Sequence, residues 1–279
     1  MAAYTIRQAR VEDVASVTPW TTDTFSWGDY VPERMPRWLI DPDSAVLVSV
    51  DDDDTPVALA HVVMLSATEG WIEAARVHPD HRRKGLGSDL NHAGVDWARE
   101  RGGRVMRLAT EADNGAARTQ VEGLGYRLVT SWVYASFAIH PTHRAPDQYR
   151  LRPAPGSDAD AAWLFWVASD LAREGRELMA NHWQWRRARP EDVTAGGELL
   201  QSPAGWVSIT QPEEDWMSTR WFATTPDGLL ALFDGLFDLA AARSVTELDV
   251  KLPKLGWTAE AITRFGGFPS EVLVYAKPL

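Results

Sequence analysis

No cysteine occurs in the 279 residues, which excludes disulfides, thiolate metal sites and a cysteine nucleophile together. No apolar run approaches the about 18 residues a membrane-spanning helix needs. The opening Met-Ala-Ala-Tyr-Thr-Ile-Arg carries no apolar leader, so the expectation is a cytoplasmic protein with no membrane partner. A basic module is also missing. The formal net charge is −11, with 28 Lys and Arg against 39 Asp and Glu, and both halves share the deficit. That balance argues against nucleic acid as a main partner and suits a small cationic acceptor, such as an amine. Hydrophobic residues make up 45% of the chain, enough for a full core, and the length accommodates two domains of ordinary size.

What is present centres on Arg76–Asp89, which reads Arg-Val-His-Pro-Asp-His-Arg-Arg-Lys-Gly-Leu-Gly-Ser-Asp. The run Ile72–Val77 reads as a buried strand, and Pro79 ends it because proline cannot donate to a ladder. Arg82, Arg83 and Lys84 then precede Gly85 and Gly87, and a helical pattern runs from Leu90 through Trp97. Strand, basic glycine-rich turn and helix start gather free backbone N–H groups and a positive dipole end in one small volume. A phosphate-bearing ligand suits that volume. A dinucleotide fingerprint would need glycine where Leu90 stands, and a triphosphate loop needs Gly-Lys-Ser/Thr rather than Lys84-Gly85.

The remaining pattern, Arg82-x-x-Gly85-x-Gly87 after a strand ending in Val77-x-Pro79, resembles the pyrophosphate-binding motif of the GNAT superfamily of acyl-CoA-dependent N-acyltransferases. Asn114-x-x-Ala117, followed by Gly125-Tyr126, is similar to the family's second motif. The resemblance implies an α/β fold with a mixed sheet and acetyl-CoA as donor. The pairs His78-x-x-His81 and His140-x-x-His143 have the spacing of two ligands on one helical face, but neither lies in a helical pattern and no third ligand accompanies them, so no metal is expected. By the same resemblance, Ala75 and Val77 offer backbone groups to the pantetheine and thioester. Arg82, Arg83, Lys84, Gly85, Leu86, Gly87 and Ser88 grip the pyrophosphate, and Asn114 flanks the CoA arm.

Along the chain, Tyr4–Ala9 reads as a first strand. Val14 and Val17 mark a helix, and residues 19–43, rich in Pro, Trp and Asp with Trp20, Trp27 and Trp38, break any long helix; the family resemblance implies variable acceptor-side helices and loops there. Ala45–Val50 and Val57–Leu65 read as strands about a solvated Asp51–Pro56 turn, and Val129–Ile139 supplies the last strands of the copy. Then the chain restarts. Tyr149-Arg-Leu-Arg-Pro-Ala mirrors Tyr4-Thr-Ile-Arg-Gln-Ala, Gly267-Phe268 mirrors Gly125-Tyr126, and Val274-Tyr275-Ala276 mirrors Val133-Tyr134-Ala135. The near-constant offset points to duplication: a GNAT domain at 1–140, a linker at 141–148 and a degenerate copy at 149–279. In the second copy Gly228 follows Pro226-Asp227 with neither cations nor paired glycines, so that copy is expected not to bind CoA. The run Arg186–Arg189 reads as a solvated helix end.

An amine must lose a proton before attacking a thioester, so a carboxylate base helps. Glu73, on the motif strand and sharing a period-two face with Trp71 and Ala75, is the first candidate, and Glu111 the second. The position where the family often carries a proton-donating tyrosine is Val121. The expectation is a monomeric or homodimeric N-acetyltransferase acting on a small-molecule amine such as an antibiotic, an aminosugar or a natural-product intermediate. The alternative is a module that binds or senses acyl-CoA without turnover.

Overall fold

A computed structural model describes residues 4–25, 28–210 and 215–279; Trp27 lies outside them. The chain forms two compact units that interleave along the sequence. The first comprises Met1–Leu108, Thr119–Arg127 and Ala276–Leu279, and the second Ala109–Arg118 and Leu128–Tyr275. The linker expected at 141–148 falls within the second.

In the first unit β1 (Thr5–Gln8), β2 (Ser44–Val50), β3 (Pro56–Ser66), β4 (Glu69–Val77) and the start of β5 (Val105–Glu111) lie side by side in that order. All pairs are antiparallel except β4 with β5. That parallel pair requires a crossover, which α3 (Leu86–Glu100) provides, while α1 (Asp13–Thr21) and α2 (Val31–Trp38) connect β1 to β2. Val46, Val48 and Val50 alternate along β2 and bury against Val17 of α1 and Val31 and Met35 of α2, with Leu59 and Ala74 beside them. Helix α3 buries Leu86, Leu90, Gly94 and Ala98, a stripe at four-residue spacing. Gly94 permits the close approach, since a Cβ there would stand 2.8 Å from Ile72 Cδ1. The helix thus begins one turn before the Leu90 expected from periodicity and ends just before Gly102, whose φ is +85°. The C-terminus belongs to this unit: the Leu279 amide donates to the Arg104 carbonyl at 3.0 Å, and Lys277 Nζ to the Leu124 carbonyl at 2.9 Å.

Helix α4 (Gly115–Gly123) leads to β6 (Arg127–Ala138). The sequence reading expects more than one strand here; the structure has a single strand, consistent with the absence of glycine, proline, asparagine or aspartate between 127 and 138 to make a turn. Beyond it come β7 (Arg152–Pro153), α5 (Ala159–Val167), α6 (Asp170–Glu174), the hairpin β8 (Leu178–Asn181) with β9 (Gln184–Arg187), β10 (Glu198–Ser202), β11 (Gly205–Ile209), β12 (Trp216–Thr224), α7 (Pro226–Ala242), β13 (Glu247–Pro253), α8 (Gly256–Arg264) and β14 (Ser270–Pro278). The second unit's strands run β14-β6-β13-β12-β11-β10-β7, and β12 with β13 is parallel. Leu229, Leu232, Phe233, Leu236 and Ala240 of α7 are fully buried in its core. The basic run is not a helix end. Arg186 and Arg187 belong to strand β9, and Arg186 forms a two-pronged ion pair with the buried Asp192 at 2.5 and 2.7 Å.

Gly235 lies within α7, where a Cβ would stand 2.3 Å from the Tyr149 carbonyl oxygen. Helix propensity alone favours Gly→Ala by about 1 kcal/mol. The backbone contact reverses the sign, so Gly235→Ala should destabilise by roughly 1–3 kcal/mol in chemical denaturation. A more stable variant would refute the contact.

Candidate active site

The site begins with one extra residue in β4. Across the β3–β4 ladder Leu59 opposes Arg76, but His61 opposes Glu73, so a bulge sits between them, and Ala74 takes a φ of +55°. Directly opposed residues share a face. The bulge therefore changes parity and puts Arg76 on the face that already carries Glu73. The expectation that Ala75 shares this face fails for the same reason: Ala74 is buried beside the α1–α2 helices, while Ala75 is exposed.

Glu73 is largely buried and held at both oxygens. His61 Nδ1 lies 3.0 Å from Oε1, and Trp71 Nε1 donates to Oε2 at 2.9 Å. The His61 ring stacks flat on Trp38 of α2, with centroids 4.2 Å apart and planes 9° apart. Arg76 grips Asp29, in the α1–α2 loop, through Nε at 2.6 Å and Nη2 at 3.2 Å. The same guanidinium stands over the rings of Phe25 and Tyr30. Burial alone would raise the Asp29 carboxyl. The bonds from Arg76 and the Val31 amide outweigh it and hold the group below the ordinary carboxylate range. Tyr30 shifts the other way: burial, and then the negative charge of Glu73, push its phenol up.

Beyond the bulge β4 has an open edge. Its ladder with β5 covers Glu69–Trp71 against Val105–Arg107, although β4 continues to Val77. After β4, the His78 amide returns to the Val57 carbonyl at 2.8 Å and Pro79–His81 makes one tight turn. Arg83 then has φ +62° and Gly85 +85°, which turns successive amides toward one side, the geometry of an anion-binding concavity. Gly85 precedes α3 without a side-chain cap, leaving the first-turn N–H groups that lack a helical acceptor. Arg82, Arg83 and Lys84 are exposed around it. Lys84 Nζ donates to the Tyr4 hydroxyl at 2.9 Å, which lies 3.0 Å from His81 Nδ1. At Gly87 a Cβ would stand 2.9 Å from Gln120 Nε2, so a side chain would fill the approach to the helix end. Positive φ, a helix start without a side-chain cap and exposed cations fit a diphosphate.

Glu73, Ala75, Val77 and Arg82–Ser88 thus fall in the first unit. Glu111 and Asn114 belong to the 109–118 segment of the second. There Glu111 is exposed at the end of β5, and Asn114 Oδ1 accepts from the Ala117 amide at 3.1 Å, capping α4. Sequence reasoning missed His61, Asp29, Tyr30 and Gln120. For His61 one signal existed: it is the single polar residue in the run Val57–Leu65.

Residues 14–126 match the family model described as Acetyltransferase (GNAT) family. Among solved structures, a GCN5-related N-acetyltransferase from Sphaerobacter thermophilus matches with a TM-score of 0.69 at 17% identity, over 99% of this chain and 95% of that one. A GCN5-related N-acetyltransferase from Kribbella flavida matches at 0.55 and 13%, over 100% and 71%. The GCN5-related glucosamine N-acetyltransferase region of a fungal multi-domain β-N-acetylglucosaminidase matches at 0.70 and 13%, over 99% of this chain and 38% of that one. At these identities the likeness establishes the fold. The search of curated proteins returned no match.

Replacing Arg76 by Met would leave the Asp29 carboxylate buried and unpaired, destabilising the protein by about 3 kcal/mol at pH 7. The folded-state pKa of Asp29 then rises above its unfolded value, so the variant's deficit should shrink as the pH falls below about 4, where the carboxyl is neutral. Denaturation at pH 7 and at acid pH checks both; a deficit independent of pH would refute the pairing.

Proposed function

Taking as premise that residues 14–126 form a GNAT acetyltransferase segment and that the chain is an acyltransferase, we propose that it transfers the acetyl group of acetyl-CoA to the amine of a small molecule. Antibiotics, aminosugars and natural-product intermediates are the candidate acceptors. The observation that carries this reading is the uncapped, glycine-led start of α3, with its three cations, directly after a bulged strand with an open edge.

Acetyl-CoA supplies the acyl group as a thioester, already activated toward an amine. On this reading the amides of Arg83–Ser88 hold its diphosphate, and the open edge of β4 at Ala75 and Val77 orders its arm. Glu73 takes a proton from the acceptor's ammonium: the N–H bond breaks toward the carboxylate oxygen and the electron pair stays on nitrogen for attack. The new C–N bond then forms as the C–S bond breaks; the nitrogen gives up its second proton to solvent, the thiolate takes one from solvent, and Glu73 returns its proton to solvent. Val121 has no proton to give. The buried Tyr126 hydroxyl hydrogen-bonds to Asn91 at 3.2 Å, and burial pushes its phenol up to about 12. Glu111 is the second candidate base, and Asn114 a second contact to the arm. Val121 also motivates the alternative of a CoA-binding module without turnover.

We further propose that residues 149–279 are a degenerate second copy. The order β7-β10-β11-β12-β13 repeats the antiparallel pairings and terminal parallel pair of β1–β5, and β12 carries its own one-residue bulge at Arg220. Two features argue against CoA in that copy. The Thr225 hydroxyl caps the start of α7 by accepting from the Gly228 amide at 3.2 Å. Between β12 and β13, beyond their short ladder, the Lys251 amide reaches Thr219 Oγ1 at 3.3 Å and its buried ammonium lies 3.4 Å from Ser218 Oγ.

Purified protein given acetyl-CoA and a panel of amines (phenethylamine, tyramine, spermidine, glucosamine) should release free thiol in an amine-dependent way. Tight CoA binding with no release across the panel would favour the binding module. Gly85→Asp, which adds bulk and negative charge at a left-handed position, should weaken CoA binding on the order of 100-fold in calorimetry. Unchanged affinity would refute the diphosphate site.

A further inference from the structure

Glu73 is held by a side chain whose own surroundings are one-sided. His61 is 2% exposed, and its Nε2 is buried without a hydrogen-bond partner among the described residues. Its Nδ1 faces Glu73 Oε1 at 3.0 Å. An ionised carboxylate only accepts hydrogen bonds, so the contact needs a proton on Nδ1. A proton on Nε2 would be a buried donor with nothing to receive it, which costs free energy. The stack on Trp38 fixes the plane of the ring and the β3–β4 ladder fixes its register opposite Glu73, and a half-turn within that plane would put Cδ2 in place of Nδ1 and lose the contact.

We propose that His61 is a positioning residue for Glu73, carrying its proton on Nδ1 and, with the Trp71 indole, fixing the carboxylate that takes the acceptor's proton. This rests on Glu73 being the base. His61 and Trp71 each bond one oxygen of the Glu73 carboxylate, which together set the plane and direction of the group. Arg76, the next residue on this face, is committed to Asp29 and to the rings of Phe25 and Tyr30. These two donors hold the orientation of Glu73, and a base aimed at one point gains more from positioning than a freely rotating one.

Two measurements on the full chain test this. Nitrogen-15 resonances of histidine-labelled protein, with His61 assigned by the loss of its signals in His61→Asn, should show the proton on Nδ1, and Glu73→Gln should shift that pattern. A proton on Nε2, or a pattern indifferent to Glu73→Gln, overturns the contact. In thiol release with the best amine of the panel above, His61→Leu keeps an apolar side chain against Trp38 but removes the donor. It should lower kcat roughly 10–100-fold with CoA affinity unchanged. His61→Asn, whose amide N–H falls near the Nδ1 position, should recover most of the rate, and His61→Leu should cost nothing further in a Glu73→Gln background. Equal losses in Leu and Asn variants, or an additive double variant, overturn the positioning role in favour of simple packing. A Glu73→Gln enzyme as fast as wild type would instead remove Glu73 as the base, and the resonances would still report the contact.

Discussion

A single inserted residue in β4 governs the first unit. Alanine in the left-handed region costs about 1 kcal/mol or more, and Ala74 adopts it at φ +55°. It is held there from several sides. Its methyl is buried among Val46, Val48 and Met35, and the ladder resumes at Leu59 and Arg76. Arg76 is anchored by a fully buried Asp29 side chain. Remove the extra residue and Arg76 would point to the α3 side. Asp29 would lose its partner, and the α1–α2 loop would lose its attachment beside Glu73. Strain at one backbone position thus joins the α1–α2 loop to the strand that carries the candidate base.

Two helix starts in the chain show how little separates the proposed anion site from an ordinary turn. Helix α3 opens after Gly85, which has no side chain to cap it, and helix α7 opens after Thr225, whose hydroxyl occupies the Gly228 amide. Both helices follow a bulged strand and cross over to a parallel neighbour. The difference lies in three cations and in whether a side-chain oxygen caps the first turn. Buried charge is treated differently too. Arg76 meets a carboxylate. Arg220 in β12 instead donates to the carbonyls of Asp192 and Ala195, which tie down a loop without making a reactive group.

Much of this was legible in the chain. Strand, turn and helix around Gly85 follow from local residue chemistry: proline ends β4, glycine supplies positive φ, and leucines at four-residue spacing bury α3. Long-range partners were not legible. Alternation along Trp71, Glu73 and Ala75 predicts one face, and nothing in those residues announces the bulge that breaks it, because the bulge is set by the register with β3. Asp29 and Arg76 are 47 residues apart and meet only once the loop is folded. The Arg186–Arg189 run failed likewise: three arginines in four residues read as solvated until Asp192 turns back to take Arg186. Charge runs state a preference for water, and a carboxylate nearby in space overrides it.

The charges along β4 give the proposed reading its direction. Past the end of the strand stand Arg82, Arg83 and Lys84 with the amides of α3. Near its middle stands Glu73, on a face where Arg76 and Asp29 offset each other and leave one net negative charge. From Glu73 to Val77 the strand rises on the order of 13 Å at most, and along that length its β5-side edge is open beyond Trp71. A donor with its anionic end at Gly85 and a neutral arm against that edge would bring its far end toward Glu73. An ammonium acceptor is attracted to the same carboxylate, and an anionic one is repelled. The opposite charges at the two ends of one strand would thus sort the two substrates, and the bulge between them brings Arg76 onto the face of Glu73, where Asp29 offsets its charge.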